Sequence, residues 1–591
     1  MRIPKTAFLV VIVVTCALSI LAPKVRAQNK PKLTLDDFFN SVSFPAFEVS
    51  PDGNSVVIVT ERADWDQQIF RTDLWLYRAG KSDAGKSDDG KAGSLIQLTQ
   101  SGHDSEPKWS PDGRWIAFLS ERKSSSEKGD DSDADSDSKD EYSQIYLISP
   151  SGGEAFAVTE GEESVHSFSW APDGQAMYFA TRQPWSKVQK DDYRENWKDV
   201  VQYRTAERGD TIFVIDLSTA LARHTSAPAR VERREGEPEP EPDVTKGARA
   251  IASTPLRVGD MVTSPDGTRL AFVSNAINQR AEKADDVEVY TVDVARALSS
   301  VKAASESKPT LIPPHRVTNN SASEGQLRWA NDSRHIFFTV EVGDVSGPYR
   351  DLQPHLYWVD SDSGAVEQWS KDFIGPVEHY AVTPDSVVAS ARVGTEVQMY
   401  SAARSADSLN RLSNWPGAYS QVSIGLHSPK VAFAYSALGK PEEIYLADSE
   451  SQLGQARPIT AFNKRIADSD LPQGKPYQWK ADDGTTVEGM LIYPPGKFEQ
   501  KHLPMFTLIH GGPADADGNS FSADWYDWAA LAATNGWLVF RPNYRGSTGY
   551  GDKFLTEIVP QIVSRPGKDI LEGVDALVKD DIADPDRLTV G

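Results

Sequence analysis

The sequence predicts a seven-bladed β-propeller followed by the first part of an α/β domain. Three observations predict it. A Ser-Pro-Asp-Gly phrase ahead of a short apolar run recurs along residues 47–437. A second, apolar-aromatic phrase follows each copy in the same order. Past about Tyr477 the pattern changes to alternating strands and helices. At 591 residues the chain exceeds one ordinary domain.

The repeats come first. Ser50-Pro51-Asp52-Gly53, Ser110-Pro111-Asp112-Gly113, Ala171-Pro172-Asp173-Gly174 and Ser264-Pro265-Asp266-Gly267 each precede an apolar run. Weaker copies stand at Ala330-Asn331-Asp332-Ser333, Thr383-Pro384-Asp385-Ser386 and Ser428-Pro429-Lys430. Pro pre-sets the first turn dihedral and Asp-Gly favours a tight turn, so each copy reads as strand, turn, strand. The second phrase reads Asp73–Tyr77, Gln144–Ile148, Thr211–Ile215, Glu288–Val292, His355–Val359, Gln398–Tyr400 and Glu443–Leu446. Several units close on a short strand ending in Thr or Ser, at Thr99, Thr159, Thr318, Ser413 and Thr460. Alternating apolar and polar positions fit half-buried strands. Seven copies of a several-stranded unit predict a seven-bladed propeller over residues 33–465, in preference to unrelated hairpins in a sandwich.

Polar inserts make the spacing uneven. Residues 80–94, 124–141 and 236–243 lack the apolar surface to order themselves and read as surface loops. Gly80–Ser87 matches the phosphate-loop pattern literally, but no apolar helix follows to aim its N-terminus at a phosphate. Residues 190–208 carry Tyr193, Trp197, Val200, Val201 and Arg204 at roughly helical spacing. The acids of this segment, Glu195 and Glu207 among them, form a solvated face or reach into a central cavity to hold a substrate's amino terminus.

Residues 1–27 read as a signal peptide. Arg2 and Lys5 precede an apolar run over Ala7–Ala22, and Val25-Arg26-Ala27 offers a small-x-small cleavage site. The run is shorter than the ~20 apolar residues a span needs, so export with cleavage is expected over stable membrane insertion. Cys16 is the only cysteine, which excludes a disulfide framework, a Cys nucleophile and a thiolate metal site in the mature chain. The formal net charge of -23 disfavours nucleic acid, which needs a basic surface to displace its counterions.

The C-terminal domain is placed at 476–591. Gln478–Tyr493 reads as a hairpin turning at Asp483-Gly484. Phe506–Ile509 and Trp537–Phe540 are short buried strands. Trp525–Asn535 between them reads as a helix with Trp528, Leu531 and Ala532 on its apolar side. A glycine-rich loop spans Asn543–Gly551. Asp569, with Glu572 three residues on, reads as the capping box of a helix, and Leu588–Val590 as a final strand. This is the order of a doubly wound α/β domain.

His510-Gly511-Gly512-Pro513 follows a buried strand directly. In α/β-hydrolases a glycine-rich turn at this place lends a backbone N–H to the oxyanion hole, and glycine lets a substrate carbonyl come close. Together with the repeats, the Asn543–Gly551 loop and the approach over Asp569–Gly591, it makes the chain similar to the prolyl oligopeptidase family of serine peptidases. Its acylaminoacyl-peptidase and dipeptidyl-peptidase branches are the most alike. The resemblance implies a propeller followed by an incomplete α/β-hydrolase domain. It implies hydrolysis of short peptides by a Ser-Asp-His triad, with the propeller restricting access and no cofactor or metal. Gly512, with Gly511, would serve the oxyanion hole. Tyr544 and Arg545 would lie near the site, contacting substrate or packing the loop.

No Gly-x-Ser-x-Gly elbow stands in the sequence, and Ser547 lies in the wrong loop for one. Since the triad runs Ser, Asp, His along an α/β-hydrolase, all three residues are expected beyond Gly591. The chain as given is then expected to be inactive. A non-catalytic propeller scaffold and an esterase-type hydrolase remain the competing readings, and homo-oligomerisation stays open.

Overall fold

A computed structural model describes residues 30–80, 93–122, 142–161, 163–183, 187–197, 208–225, 247–255, 257–275, 287–303, 311–344, 351–512, 514–523 and 526–591. The signal segment, nearly all of the polar inserts, the tail of the 190–208 segment and Pro513 lie outside the described residues.

Each turn phrase is a hairpin closed by its own side chains. Ser50 Oγ donates to Asp52 Oδ1 at 2.6 Å, that oxygen accepts from Asn54 N at 3.0 Å, and Ser50 Oγ accepts from Ser55 N at 2.9 Å. Ser110 and Ser264 repeat the set. Gly53, Gly113, Gly174 and Gly267 take φ of 72°, 70°, 68° and 71°, a left-handed conformation that costs glycine nothing. The closing hydroxyls have a task of their own. Thr99, Thr159, Thr318, Ser413 and Thr460 accept from the backbone N–H of Leu74, Ile145, Val289, Met399 and Ile444, each 2.8–3.0 Å away. These bonds satisfy buried strand donors where the outer strand has ended.

The first antiparallel meander runs Phe47–Val49, Ser55–Asp64, Ile69–Arg78, Ser94–Gln97. Six more four-stranded meanders follow among the described residues. They open at Asp104–Trp109, Val165–Trp170, Arg257–Thr263, Ser321–Trp329, Val377–Val382 and Ala418–Ile424. Single parallel bridges, Val287↔Ser323 and Val397↔Ala418, join the fourth meander to the fifth and the sixth to the seventh. Apolar clusters lie between successive sheets. Ala432, Ala434 and Ile444 of the seventh pack on Val56 and Ile58 of the first. Indole N–H groups tie neighbours together: Trp109 Nε1 donates to Glu48 O (3.1 Å), Trp170 to Lys108 O (3.2 Å) and Trp329 to Val262 O (3.1 Å).

The opening strands carry charge inward. Glu48 accepts from Trp109 N at 2.7 Å. Burial pushes its carboxyl up to about 7, against the pull of that N–H, Lys108 and Arg328. Its ordinary value is 4.5, so folding takes up a proton between 4.5 and about 7. That contribution is full below 4.5 and is lost as pH rises to about 7. Urea denaturation at pH 5 and pH 8 should show the loss, and Glu48→Gln, neutral at both, should flatten the difference.

The last sheet is ordered Gln473–Lys480, Thr486–Tyr493, Leu538–Asn543, Leu503–Thr507, Ala583–Val590. The first two form the predicted hairpin, and the last three are mutually parallel. Helix Ser564–Lys579 buries Leu577 against one face, beside Trp479 and Phe540. On the other face lies Ala529–Thr534, shorter than the helix predicted from Trp525. It buries Ala529 and Ala533 on Met490, Ile492 and Val539, because small side chains let it sit close to the sheet. Trp528 precedes it and stacks on Phe38 of helix Leu35–Phe39 at 5.8 Å. Helices Leu217–Thr225 and Val294–Ala303, each following a strand directly, were not anticipated from sequence.

Candidate active site

The site is built where two parallel strands end side by side. Leu503–Thr507 continues into Leu508, Ile509 and the His510–Gly512 turn. Ala583–Val590 delivers Gly591 next to it: Gly591 N donates to Thr507 O at 2.9 Å, and Ile509 N donates to Gly591 O at 3.1 Å. Gly512 has φ of 117°, and a Cβ there would stand 2.7 Å from Ala514 N. Only glycine fits this turn without strain. Gly511 and Gly512 are both exposed.

His510 is held from the Asn543–Gly551 loop. Its ring stacks on Tyr544 with centroids 4.5 Å apart and planes at 12°. The Tyr544 hydroxyl donates to His510 O at 2.7 Å. Burial, then Asp517 and Asp515, pushes that phenol up to about 12, so it stays a neutral donor. His510 Nδ1 faces Gly511 O at 2.8 Å, and Nε2 faces Ser547 Oγ at 3.0 Å. Ser547 Oγ also lies 2.7 Å from Tyr544 O, and its residue is fully buried. A serine enclosed in this way cannot reach a substrate, so the His510–Ser547 pair is a latch on the turn.

The segment after the turn is knitted to the same loop. Asn543 and Asp517 exchange backbone–side-chain bonds of 2.8 and 2.9 Å, and Thr548 N donates to Asp515 O at 3.0 Å. Arg541 pairs with Asp517 and, at 2.8 Å, with Asp527. Sequence reasoning passed over these residues, because only their partners across the fold give them a role.

Tyr544 therefore reaches the turn itself. Arg545 does not: its side chain is 0% exposed and its guanidinium bonds Asp569, with Nη2–Oδ1 at 2.5 Å and Nε–Oδ2 at 2.9 Å, and also Asp483. Those carboxylates place it in the packing role of the two that were open. Asp569 is no helix cap: the helix starts at Ser564, and the buried Arg545 claims the carboxylate. Glu195 is exposed on helix Lys187–Trp197, and Glu207 lies outside the described residues.

The sequence model described as "Prolyl oligopeptidase family" matches residues 524–591. The chain is 24% identical over 583 residues to "Uncharacterized peptidase YuxL" of Bacillus subtilis, a match covering 95% of this chain and 78% of that one. To dipeptidyl-peptidase 5 of Porphyromonas gingivalis it is 29% identical over 149 residues, 25% of this chain and 21% of that one. Among solved structures, Pyrococcus horikoshii acylaminoacyl peptidase aligns with a TM-score of 0.62 at 16% identity, covering 95% of this chain and 74% of that one. At such identity the likeness is one of fold. Taken with the match over residues 524–591, it makes the chain similar to the prolyl oligopeptidase family.

Proposed function

We propose that this chain is the propeller and leading part of the hydrolase domain of a serine peptidase acting on short peptides through an acyl-enzyme. One observation carries the reading. The Ala583–Val590 strand leaves the sheet beside the His510–Gly512 turn, with Gly591 bonded to Thr507 and Ile509. A nucleophile elbow entered from this strand would present its serine within reach of a carbonyl held at the turn. Gly512, with Gly511, supplies backbone N–H groups to the oxyanion, which form their best bonds only as charge develops. The serine, the acid and the histidine lie beyond Gly591 in this reading.

The seven meanders act as a seven-bladed propeller over the site. The packing of the seventh sheet on the first supports that count. A propeller over the site admits short peptides and shuts out folded proteins.

Hydrolysis by the full-length protein tests the function. Short peptide nitroanilides should be cleaved, and fatty acyl esters should not be preferred to them. A preference for long acyl esters would favour the esterase reading; no turnover of either would favour a binding scaffold.

A further inference from the structure

The loops that flank the His510–Gly512 turn do not rest on the hydrolase sheet alone. Both are held by the propeller, at two adjoining places. After the turn, Asn519 N donates to Thr395 O at 2.7 Å, and Asn519 Nδ2 donates to Glu396 Oε1 at 2.9 Å. The other Glu396 oxygen accepts from Gly417 N at 2.6 Å and Gln398 Nε2 at 3.0 Å, so the carboxylate is anchored within the propeller. On the other side, Gly549 N donates to Gln353 Oε1 at 2.7 Å, and Gly394 N donates to Gly549 O at 3.0 Å. Gln353 is 0% exposed, and its own Nε2 donates to Ile374 O at 2.7 Å. Backbone meets backbone here: a Cβ on Gly549 would lie 3.1 Å from Arg392 Cγ, and one on Gly394 would lie 2.9 Å from Glu488 Oε1.

These contacts lead to the turn in few steps. Gly549 sits two residues from Ser547, which touches His510 Nε2, and five from Tyr544, which grips His510 O. Asn519 lies on the segment that leaves Gly512, joined to the first loop by Thr548 and Asp515. The held groups are loop backbone rather than helix or strand, so the bonds set a position that regular structure does not.

We propose that the propeller positions the oxyanion turn, with Gln353 and Glu396 as positioning residues for the N–H of Gly512. This rests on the reading of Gly512 as an oxyanion donor. An N–H aimed at a developing oxyanion must be placed to a fraction of an ångström, and a shift of about 1 Å costs on the order of 10²-fold in rate. Gln353 and Glu396 touch neither substrate nor nucleophile. They act through Gly549 and Asn519.

The test uses the full-length protein and the variants Gln353→Leu, Glu396→Ala and Asn519→Ala. The last keeps the backbone bond to Thr395 and so disturbs folding least. Fluorophosphonate titration first counts competent sites. Peptide nitroanilide kinetics follow, with inhibition by a peptide boronate, which mimics the tetrahedral oxyanion, and by the cleaved product peptide. Expected are losses in kcat of about 10–100-fold with a matching rise in the boronate inhibition constant, while KM and the product constant move less than about twofold. Unchanged kcat and boronate affinity with a lower Tm would overturn the proposal, since the bonds would then only stabilise. A rise in KM at constant kcat would also overturn it, pointing to access instead. A wild-type protein that takes up no fluorophosphonate would remove the peptidase reading itself; labelled, active variants indistinguishable from wild type would remove only the positioning role.

Discussion

Arg545→Met is expected to destabilise the protein by about 3–5 kcal/mol, because it removes one partner of a buried ion pair and leaves the other charged. Asp569 is fully buried, and both of its oxygens accept from Arg545: Oδ1 from Nη2 at 2.5 Å, Oδ2 from Nε at 2.9 Å and from the backbone N at 3.0 Å. The methionine would fill much of the volume and supply none of these side-chain donors. The effect should reach further than the pair. Arg545 also holds Asp483, in the turn of the hairpin that opens the C-terminal sheet, and Trp479 Nε1 donates to Asp569 O at 2.9 Å. One guanidinium thus ties the loop before the site to the first hairpin and to helix Ser564–Lys579. Arg565→Ala is the control. Arg565 meets Asp483 at 2.9 Å on the surface, and an exposed pair contributes about 0–1 kcal/mol. Urea or thermal denaturation of the two variants should separate them clearly. Equal, small losses would show that the Arg545 cluster is not held as described.

Gly512→Ala should lower kcat of the full-length enzyme by about 10²–10³-fold, the usual loss when one oxyanion donor is displaced. The cause is local. At φ of 117° a Cβ would meet Ala514 N at 2.7 Å, so the turn must rotate and carry its N–H away. Stability should fall by about 1 kcal/mol, because alanine is strained at this φ. Gly511→Ala provides the contrast. Its Cβ would meet nothing within 4 Å, so its loss should stay below about tenfold. Steady-state kinetics with one peptide nitroanilide checks both. Equal effects at the two positions would contradict the geometry assigned to the turn.

What the sequence showed depends on how far apart the cooperating residues lie. The Ser-Pro-Asp-Gly hairpins were legible because their chemistry closes within a few residues: Ser50, Asp52, Asn54 and Ser55 satisfy one another. The repeat of that phrase then carried the propeller. The His510–Gly512 turn was legible for the same reason, as a glycine pair after a buried strand. Asp569 misled because a capping box is also a local pattern, whereas the arginine that claims its carboxylate is 24 positions earlier. The indole bonds between sheets left no local trace that separates Trp109, Trp170 and Trp329 from ordinary core tryptophans. The grip of the propeller on the site was the least legible of all. Gln353 and Gly549 stand 196 positions apart, and only the fold makes them neighbours.

The central claim is that the Ala583–Val590 strand leads a serine nucleophile to the His510–Gly512 turn. Intact-mass and peptide mapping of the full-length protein after fluorophosphonate treatment tests it directly. The account predicts a single adduct, on a serine in a Gly-x-Ser-x-Gly elbow entered from the Ala583–Val590 strand. No adduct, or an adduct on Ser547, would contradict it.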